Sequence, residues 1–297
     1  MATTVNLTTT YAGEVAGEWN LKAFLAGETL QHITVKENVP GKLKVRRITD
    51  NATTFADQTC VFTPEGTIEF DERTLTLVDM SYPRELCKLT FLQDWEALAA
   101  QNDSLGSVSE AVVATMAGNI GAINETMIWQ GVAGVGSYAG FETLFLADAT
   151  VIDVATPVAI TKANVVAEIE SVVAALPVRV RRASEKPKLY VSSNVAEAYR
   201  NAMADAGNGF FNQSGNAINM TWIGQYAIVE CPGMSDDTMV FAQASNLWFG
   251  TNKTSDMNNI QVLDMQNVTG DKTVKFNADF FGAVQYGRGN EIAFYQA

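Results

Sequence analysis

The sequence predicts an α+β chain in which one long helix separates a β-rich first third from an α/β segment that ends in strands. Two observations carry this. Between Ser104 and Gln130, apolar residues recur at Leu105, Val108, Val112, Met116, Ile120, Ile123 and Met127, and spacings of three and four put them on one helix face. On either side, apolar residues come in short β-type runs separated by Gly, Pro, Asn and Asp.

Met1 to about Thr34 is rich in Thr, Gly and Ala, with one weak helical patch at Trp19–Leu30, and reads as an arm. Ile33–Val78 supplies β-type runs at Lys42–Thr49, Gln58–Phe62 and Thr67–Leu77, broken at Pro40-Gly41, Asp50-Asn51 and Pro64-Glu65-Gly66. These predict hairpins in series with too few bulky side chains for a core of their own, so the segment needs a partner surface and should be mobile without one. A helical patch at Leu89–Ala100 leads into the long helix. Asp103 or Ser104 can cap its first turn, Ser107 and Glu110 have capping-box spacing, and Gly131 stops it. Gly118 and Gly121 weaken it by roughly 1 kcal/mol each relative to Ala, and small residues at its middle suit a closely packed neighbour.

After the Gly-rich run to Gly140, Asn164–Leu176 is helical and ends at Pro177. Lys188–Ser192 is a buried strand, and Asn194 can cap a helix to about Ala204, which makes an α/β unit. Strands are predicted at Ile223–Glu230, Thr238–Gln243, Asn246–Phe249, Ile260–Met265, Thr273–Tyr286 and Glu291–Tyr295.

With 297 residues, 47% of them hydrophobic, the chain can form one large or two ordinary domains, and disorder throughout is excluded. No apolar run approaches the roughly 18 to 20 residues needed to span a bilayer, and Met1–Thr10 lacks the zones of a signal peptide. The chain is therefore expected to be made in the cytosol. Sequons such as those at Asn6, Asn51 and Asn267 then carry no weight. Cys60, Cys87 and Cys231 are odd in number and far apart, so reduced, packed thiols are expected. A net charge of -13 disfavours broad nucleic-acid binding. The basic clusters Lys42, Lys44, Arg46, Arg47 and Arg179, Arg181, Arg182 read as solvated or subunit-facing edges.

Residues for chemistry are sparse. His32 is the sole histidine and sits in a strand-like setting near the arm, so neither an imidazole-activated nucleophile nor a common zinc set can be assembled. Gly134, Gly136 and Gly140 follow a helix and lack the Lys-Ser/Thr pair of a phosphate loop, which leaves a flexible hinge. The pairs Asp71-Glu72 and Asp236-Asp237 read as turn residues, and Trp222, Tyr226, Trp248 and Phe249 as sheet residues. No catalytic, cofactor-binding or metal residue is assigned, and no cofactor is expected.

The order of parts resembles the major capsid proteins of tailed bacteriophages, the Hong Kong 97-type fold, over nearly the whole chain. Asn124-Glu-Thr-Met-Ile-Trp-Gln-Gly131 looks like the end of that family's spine helix. Thr161–Pro177 and Lys188-Leu-Tyr-Val-Ser-Ser193 look like the start of its axial domain. Asn246-Leu-Trp-Phe-Gly-Thr251, Asp256, Ile260–Asp264 and the strands to Tyr295 look like the return into the peripheral domain. The resemblance implies an N-terminal arm (1–32), an extended loop (33–86), a peripheral domain (87–140) with the spine helix at 104–130, an axial domain (141–250) and peripheral return strands (251–297).

It also implies a non-enzymatic subunit that self-assembles, through pentamers and hexamers, into the icosahedral head shell around double-stranded DNA. The loop would lie on a neighbour in that shell. DNA would be enclosed without sequence-specific binding, no membrane would be contacted, and a portal would be a partner. Many members carry a charged, helical, cleaved N-terminal scaffolding segment that this sequence lacks, so either a separate scaffolding protein or a processed form is expected, with the separate protein favoured. The protein would be assembled in the host cytoplasm and reside in the virion. Some members form Lys-Asn crosslinks, for which Lys42 or Lys44 and Asn259 or Asn277 have the right types. The alternatives are an encapsulin-type nanocompartment shell, a carboxylate-dependent hydrolase, and a surface-array or adhesion protein.

Overall fold

The computed structural model describes residues 28–50, 55, 66–87, 105–205, 222–223, 225–252, 261–267 and 269–297, with side chains for all but 105–111, 205, 222, 223 and 267. The expectations at Trp19–Gly27, Gln58–Phe62, Leu89–Ala100, Asp103, Ser104 and Asn259, and the capping-box side chains of Ser107 and Glu110, lie outside it.

Six helices are described: α1 (Thr29–His32), α2 (Leu105–Gln130), α3 (Phe141–Leu146), α4 (Val165–Ala175), α5 (Val178–Arg181) and α6 (Ser193–Asp205). The long helix α2 is unbroken through Gly118 and Gly121, so packing overrides their low propensity. Its buried line runs Met116, Ile120, Asn124, Ile128, with Glu125 and Trp129 alongside. Steps of four advance about 40° around a helix, so this line winds away from the predicted face. Ile123, placed on the apolar face by spacing, is instead 45% exposed. Gly121 faces open space within this subunit.

The described strands form four sheets. A four-stranded sheet has the order β1 (Thr34–Lys36), β11 (Leu247–Gly250), β14 (Asp279–Tyr286), β4 (Val78–Ser81). A six-stranded sheet has the order β6 (Ile152–Asp153), β15 (Ala293–Gln296), β10 (Thr238–Ala242), β7 (Lys188–Val191), β9 (Tyr226–Glu230), β8 (Trp222–Ile223). The third comprises β12 (Gln261–Asp264), β13 (Thr273–Asn277) and β5 (Arg84–Cys87), and the fourth is the hairpin of β2 (Lys42–Asp50) and β3 (Ile68–Thr76).

Strand β7, helix α6 and strand β9, parallel to β7, make the expected α/β unit. Its core joins Val165, Ile169 and Val172 of α4 to Val195 and Tyr199 of α6 and to Leu189, Phe241 and Tyr295 of the sheet. A second cluster packs Ile128 and Trp129 of α2 and Phe141 and Phe145 of α3 against Tyr190, Phe249, Tyr286 and Phe294. Met116 meets Val274 and Phe276 of the three-stranded sheet in a third.

Several boundaries differ from the expected ones. Leu247–Gly250, assigned to the 141–250 segment, lies between β1 and β14 in the four-stranded sheet. Ala293–Gln296, assigned to the return strands 251–297, lies between β6 and β10 in the six-stranded sheet. Both strands are largely buried, and local sequence specifies a buried strand but not its partners. Among the described residues of 33–86, only β2 and β3 form a separate hairpin, since β1, β4 and β5 belong to other sheets. Within the expected arm, Thr29 is fully buried.

The run Ile223–Glu230 is two strands, β8 and β9, that pair antiparallel, and Thr273–Tyr286 breaks at the buried Ala278 between β13 and β14. Asn194 is within the first turn of α6 rather than before it, and its amide is tied to Asp237 at 2.7 and 3.1 Å.

Candidate functional site

The hairpin has two unlike faces. Cross-strand partners in an antiparallel pair point the same way, so the register Leu43↔Leu75, Val45↔Arg73 and Arg47↔Asp71 defines an inner face. Lys44↔Thr74, Arg46↔Glu72, Ile48↔Phe70 and Asp50↔Ile68 define the outer one. On the inner face, Val45 and Leu75 are buried against the same chain, Leu75 packing with Val39 and Ala283. On the outer face Ile48, Ile68 and Phe70 are 58%, 63% and 78% exposed. The root of this segment thus packs on its own subunit.

Polar contacts secure that root. Arg47 Nη1 donates to the Gly287 carbonyl at 2.9 Å, Arg288 Nη2 to the Ile48 carbonyl at 2.7 Å, and Gln285 Nε2 to the Thr74 carbonyl at 3.1 Å. Arg47 pairs with Asp71 on the neighbouring strand. Arg73 pairs with Asp148, lies 4.3 Å from the ring centroid of Tyr286, and so stacks on a residue whose hydroxyl also donates to Asp148 at 2.6 Å. Burial alone would raise the Asp148 pKa, but the Tyr286 hydroxyl, the Thr150 amide and Arg73 outweigh it and hold the carboxyl well below its usual range. Burial and the neighbouring Arg73 and Arg288 lower the Arg47 pKa.

Asp71 and Glu72 are on strand β3, not in a turn, and adjacent strand residues face opposite ways. Asp71 therefore meets Arg47 inside, and Glu72 meets Lys44 outside, so the two carboxylates cannot share a substrate. Asp236-Asp237 is a turn as expected; Asp237 has φ 55° and its carboxylate accepts from Ile160 N and the Asn194 amide.

His32 ends a helix rather than occupying a strand. Its carbonyl accepts from the Tyr190 hydroxyl at 2.7 Å, while burial and Lys188 lower the imidazole pKa against an opposing effect of Glu28. The glycine run is a closed loop, not a hinge. Gly140 N donates to the Gly131 carbonyl at 2.8 Å, and a Cβ on Gly140 would fall 2.3 Å from the Trp129 carbonyl.

Tyr226 packs edge-on to Phe241 and Phe249 to Tyr138, while Lys36 lies 5.0 Å from the Trp248 ring. Arg179 pairs with Glu291. Cys87 and Cys231 are free thiols, and burial raises the Cys231 pKa. Asn277 bonds to Ser81 and Asp279, and Lys44 pairs with Glu72. Among the described residues no group of three or more His, Cys, Asp or Glu could hold a metal ion, and no helix is long and apolar enough to cross a membrane.

Sequence reasoning missed Arg73, Asp148, Gln285, Tyr286 and Arg288. One signal was present: Arg47 continues the alternation that places Leu43 and Val45 inward, and a charge at an inward position asks for a buried partner.

The chain has the fold of solved phage-type capsid chains. It is similar to the capsid chain described as "Capsid of native GTA particle computed with C5 symmetry", with 16% identity, coverage of 95% of this chain and 96% of that one, and a TM-score of 0.66. It is similar to "The capsid of Myoviridae Phage XM1", with 10% identity, 95% coverage of each chain and a TM-score of 0.63. A chain of the Gordonia phage Cozz aligns at 12% identity over 96% of this chain and 91% of that chain, with a TM-score of 0.60. No family model and no curated protein matches the sequence.

Proposed function

We propose that this chain is a major capsid protein that self-assembles into an icosahedral head shell enclosing double-stranded DNA. The observation that carries this is the hairpin: its root is built into the subunit, while Ile48, Ile68 and Phe70 form an apolar outer face with no cover among the described residues. The near-complete overlap with capsid chains supports the same reading. Burying such faces between copies stabilises a shell without a covalent link, and an acidic chain does not trap the polyanion it encloses. In this reading the particle resides in the virion after assembly in the host cytoplasm, with a portal and a separate scaffolding protein as partners.

Electron microscopy and light scattering test it. Purified chain, with scaffold supplied if needed, should give closed shells or pentameric and hexameric precursors. Replacing residues 49–68 by a short Gly/Ser linker keeps Val45, Arg47, Arg73 and Leu75 and should leave folded subunits that no longer close. A monomer that stays inert across concentration and salt, with scaffold present, counts against the proposal. An encapsulin-type shell shares these outcomes and is separated by contents, since its particles would hold a protein cargo in place of DNA.

A further inference from the structure

The turn Cys231–Ser235, between β9 and β10, is held by the Gln130 amide of α2 and the Glu142 carboxylate of α3, while the Glu125 carboxylate of α2 holds α1; the shell reading uses neither carboxylate. Gln130 Nε2 of α2 donates to the Gly233 carbonyl at 2.8 Å. Gly233 lies so close to α2 that a Cβ there would fall 2.2 Å from the Glu125 carbonyl. Two residues on, Ser235 donates its N–H at 2.9 Å and its hydroxyl at 2.7 Å to the Glu142 carboxylate of α3. That hydroxyl also accepts from Gln296 at 3.1 Å and lies 2.9 Å from the Thr238 hydroxyl. Beside the turn, Glu125 accepts from the Thr29 hydroxyl, which itself accepts from Trp129 Nε1 at 2.8 Å.

We infer that this junction is a proton-sensitive clasp: neutral Glu125 and Glu142 hold α1 and the 231–235 turn against α2 and α3, and ionisation loosens both. Glu125 is 1% exposed and Glu142 5% exposed. Neither forms an ion pair among the described residues. The titratable groups around Glu125 are Glu28 at the N-cap of α1, Cys231 from the turn and Tyr138 from the glycine loop, and none of them is a cation. Around Glu142 the partners are the amide and hydroxyl of Ser235, with Thr238 behind, and none titrates. A carboxylate without a cation in so dry a site favours its neutral form, and burial raises the pKa of both groups. Their contribution is complete below the ordinary glutamate range and lost as pH rises through the raised values. The clasp belongs to the subunit and holds whether or not the shell reading does.

The test is hydrogen exchange, corrected for intrinsic rates, on the full chain as purified from mildly acid to mildly alkaline pH. Protection around 29–32 and 231–238 should fall as pH rises, by up to about tenfold per pH unit for each carboxylate. Glu142→Gln should flatten the dependence at 231–238 and Glu125→Gln that at 29–32, each leaving the other region as in the unmodified chain. Gln variants with the original dependence would overturn the clasp. If a variant does not fold, infrared spectroscopy of the unmodified protein decides: the C=O stretch of protonated carboxyls must persist above the ordinary glutamate range, and its absence there overturns the inference.

Discussion

Two junctions in this molecule bury carboxylates and push them in opposite directions. At the hairpin root, Asp148 has Arg73, the Tyr286 hydroxyl and the Thr150 amide, and its pKa is lowered. At the helix–turn junction, Glu142 has Ser235 donors and Glu125 has Thr29 donors, no cation is described at either, and both pKa values are raised. Asp148 is only half-buried, and the Tyr286 hydroxyl, the Thr150 amide and Arg73 together outweigh its desolvation. At the more deeply buried Glu125 and Glu142, desolvation outweighs the Thr29 and Ser235 donors. The hairpin is thus set at an orientation that ordinary changes of pH leave alone, whereas the coupling of α2 and α3 to the six-stranded sheet responds to protons.

The sharpest way to break this contrast is Asp148→Ala, which leaves Arg73 with no counter-charge. Both partners keep about a fifth of their surface in solvent (side chains 21% and 19% exposed). The cost should therefore fall at the low end for a broken buried pair, about 3 kcal/mol by chemical denaturation, with lost exchange protection along β2 and β3. A cost below about 1 kcal/mol would show that Tyr286 and the apolar root suffice.

Next in size is the pH dependence of the two regions in one experiment. A lowered carboxylate contributes above its ordinary range and fails as pH falls through the lowered value, so protection of β2 and β3 should hold in mild acid and drop in strong acid. Protection at 231–238 should run the other way, strongest in acid and weakening toward alkaline pH. Parallel profiles would mean that the pairing of Asp148 does not set its behaviour.

Smaller still is Glu142→Gln, which keeps the acceptor for Ser235 and removes the charge. At mildly alkaline pH it should raise subunit stability by on the order of 1 kcal/mol in thermal or chemical unfolding, while Asp148→Asn at the same pH should lower it. The smallest effect on the subunit is expected from Phe70→Ser. With Phe70 78% exposed, stability should change by no more than about 0.5 kcal/mol, while electron microscopy should find few closed shells. A large loss of subunit stability would place the outer face in the subunit's own core.

Much of the architecture was legible because it is local. Helix α2 is described over Leu105–Gln130, within the expected segment, and ends where Gly131 stops it. The β2 and β3 runs, the α4 helix ending before Pro177, and the β7–α6 unit also stand where spacing and punctuation placed them. What failed involved partners distant in the chain. Ile123 was set on the buried face because spacing describes a straight stripe, whereas α1 and the 231–235 turn wrap the helix and bury Glu125 and Trp129. Asp71 and Glu72 looked like a turn pair, and only strand pairing separated them onto two faces.

The sequence by itself determined the α+β class, the long helix, the shortage of catalytic and metal-binding types, and a hairpin too light to form its own core. These follow from period, composition and turn chemistry within a few residues of each position. The tertiary structure alone decided that Leu247–Gly250 joins β1 and β14, that Ala293–Gln296 joins β6 and β10, and that Asp148 meets Arg73 across 75 positions while Glu142 meets Ser235 across 93. A buried strand or an inward charge announces that it needs a partner. Which partner it receives depends on long-range packing, and that choice gives Asp148 a cation and Glu142 a serine.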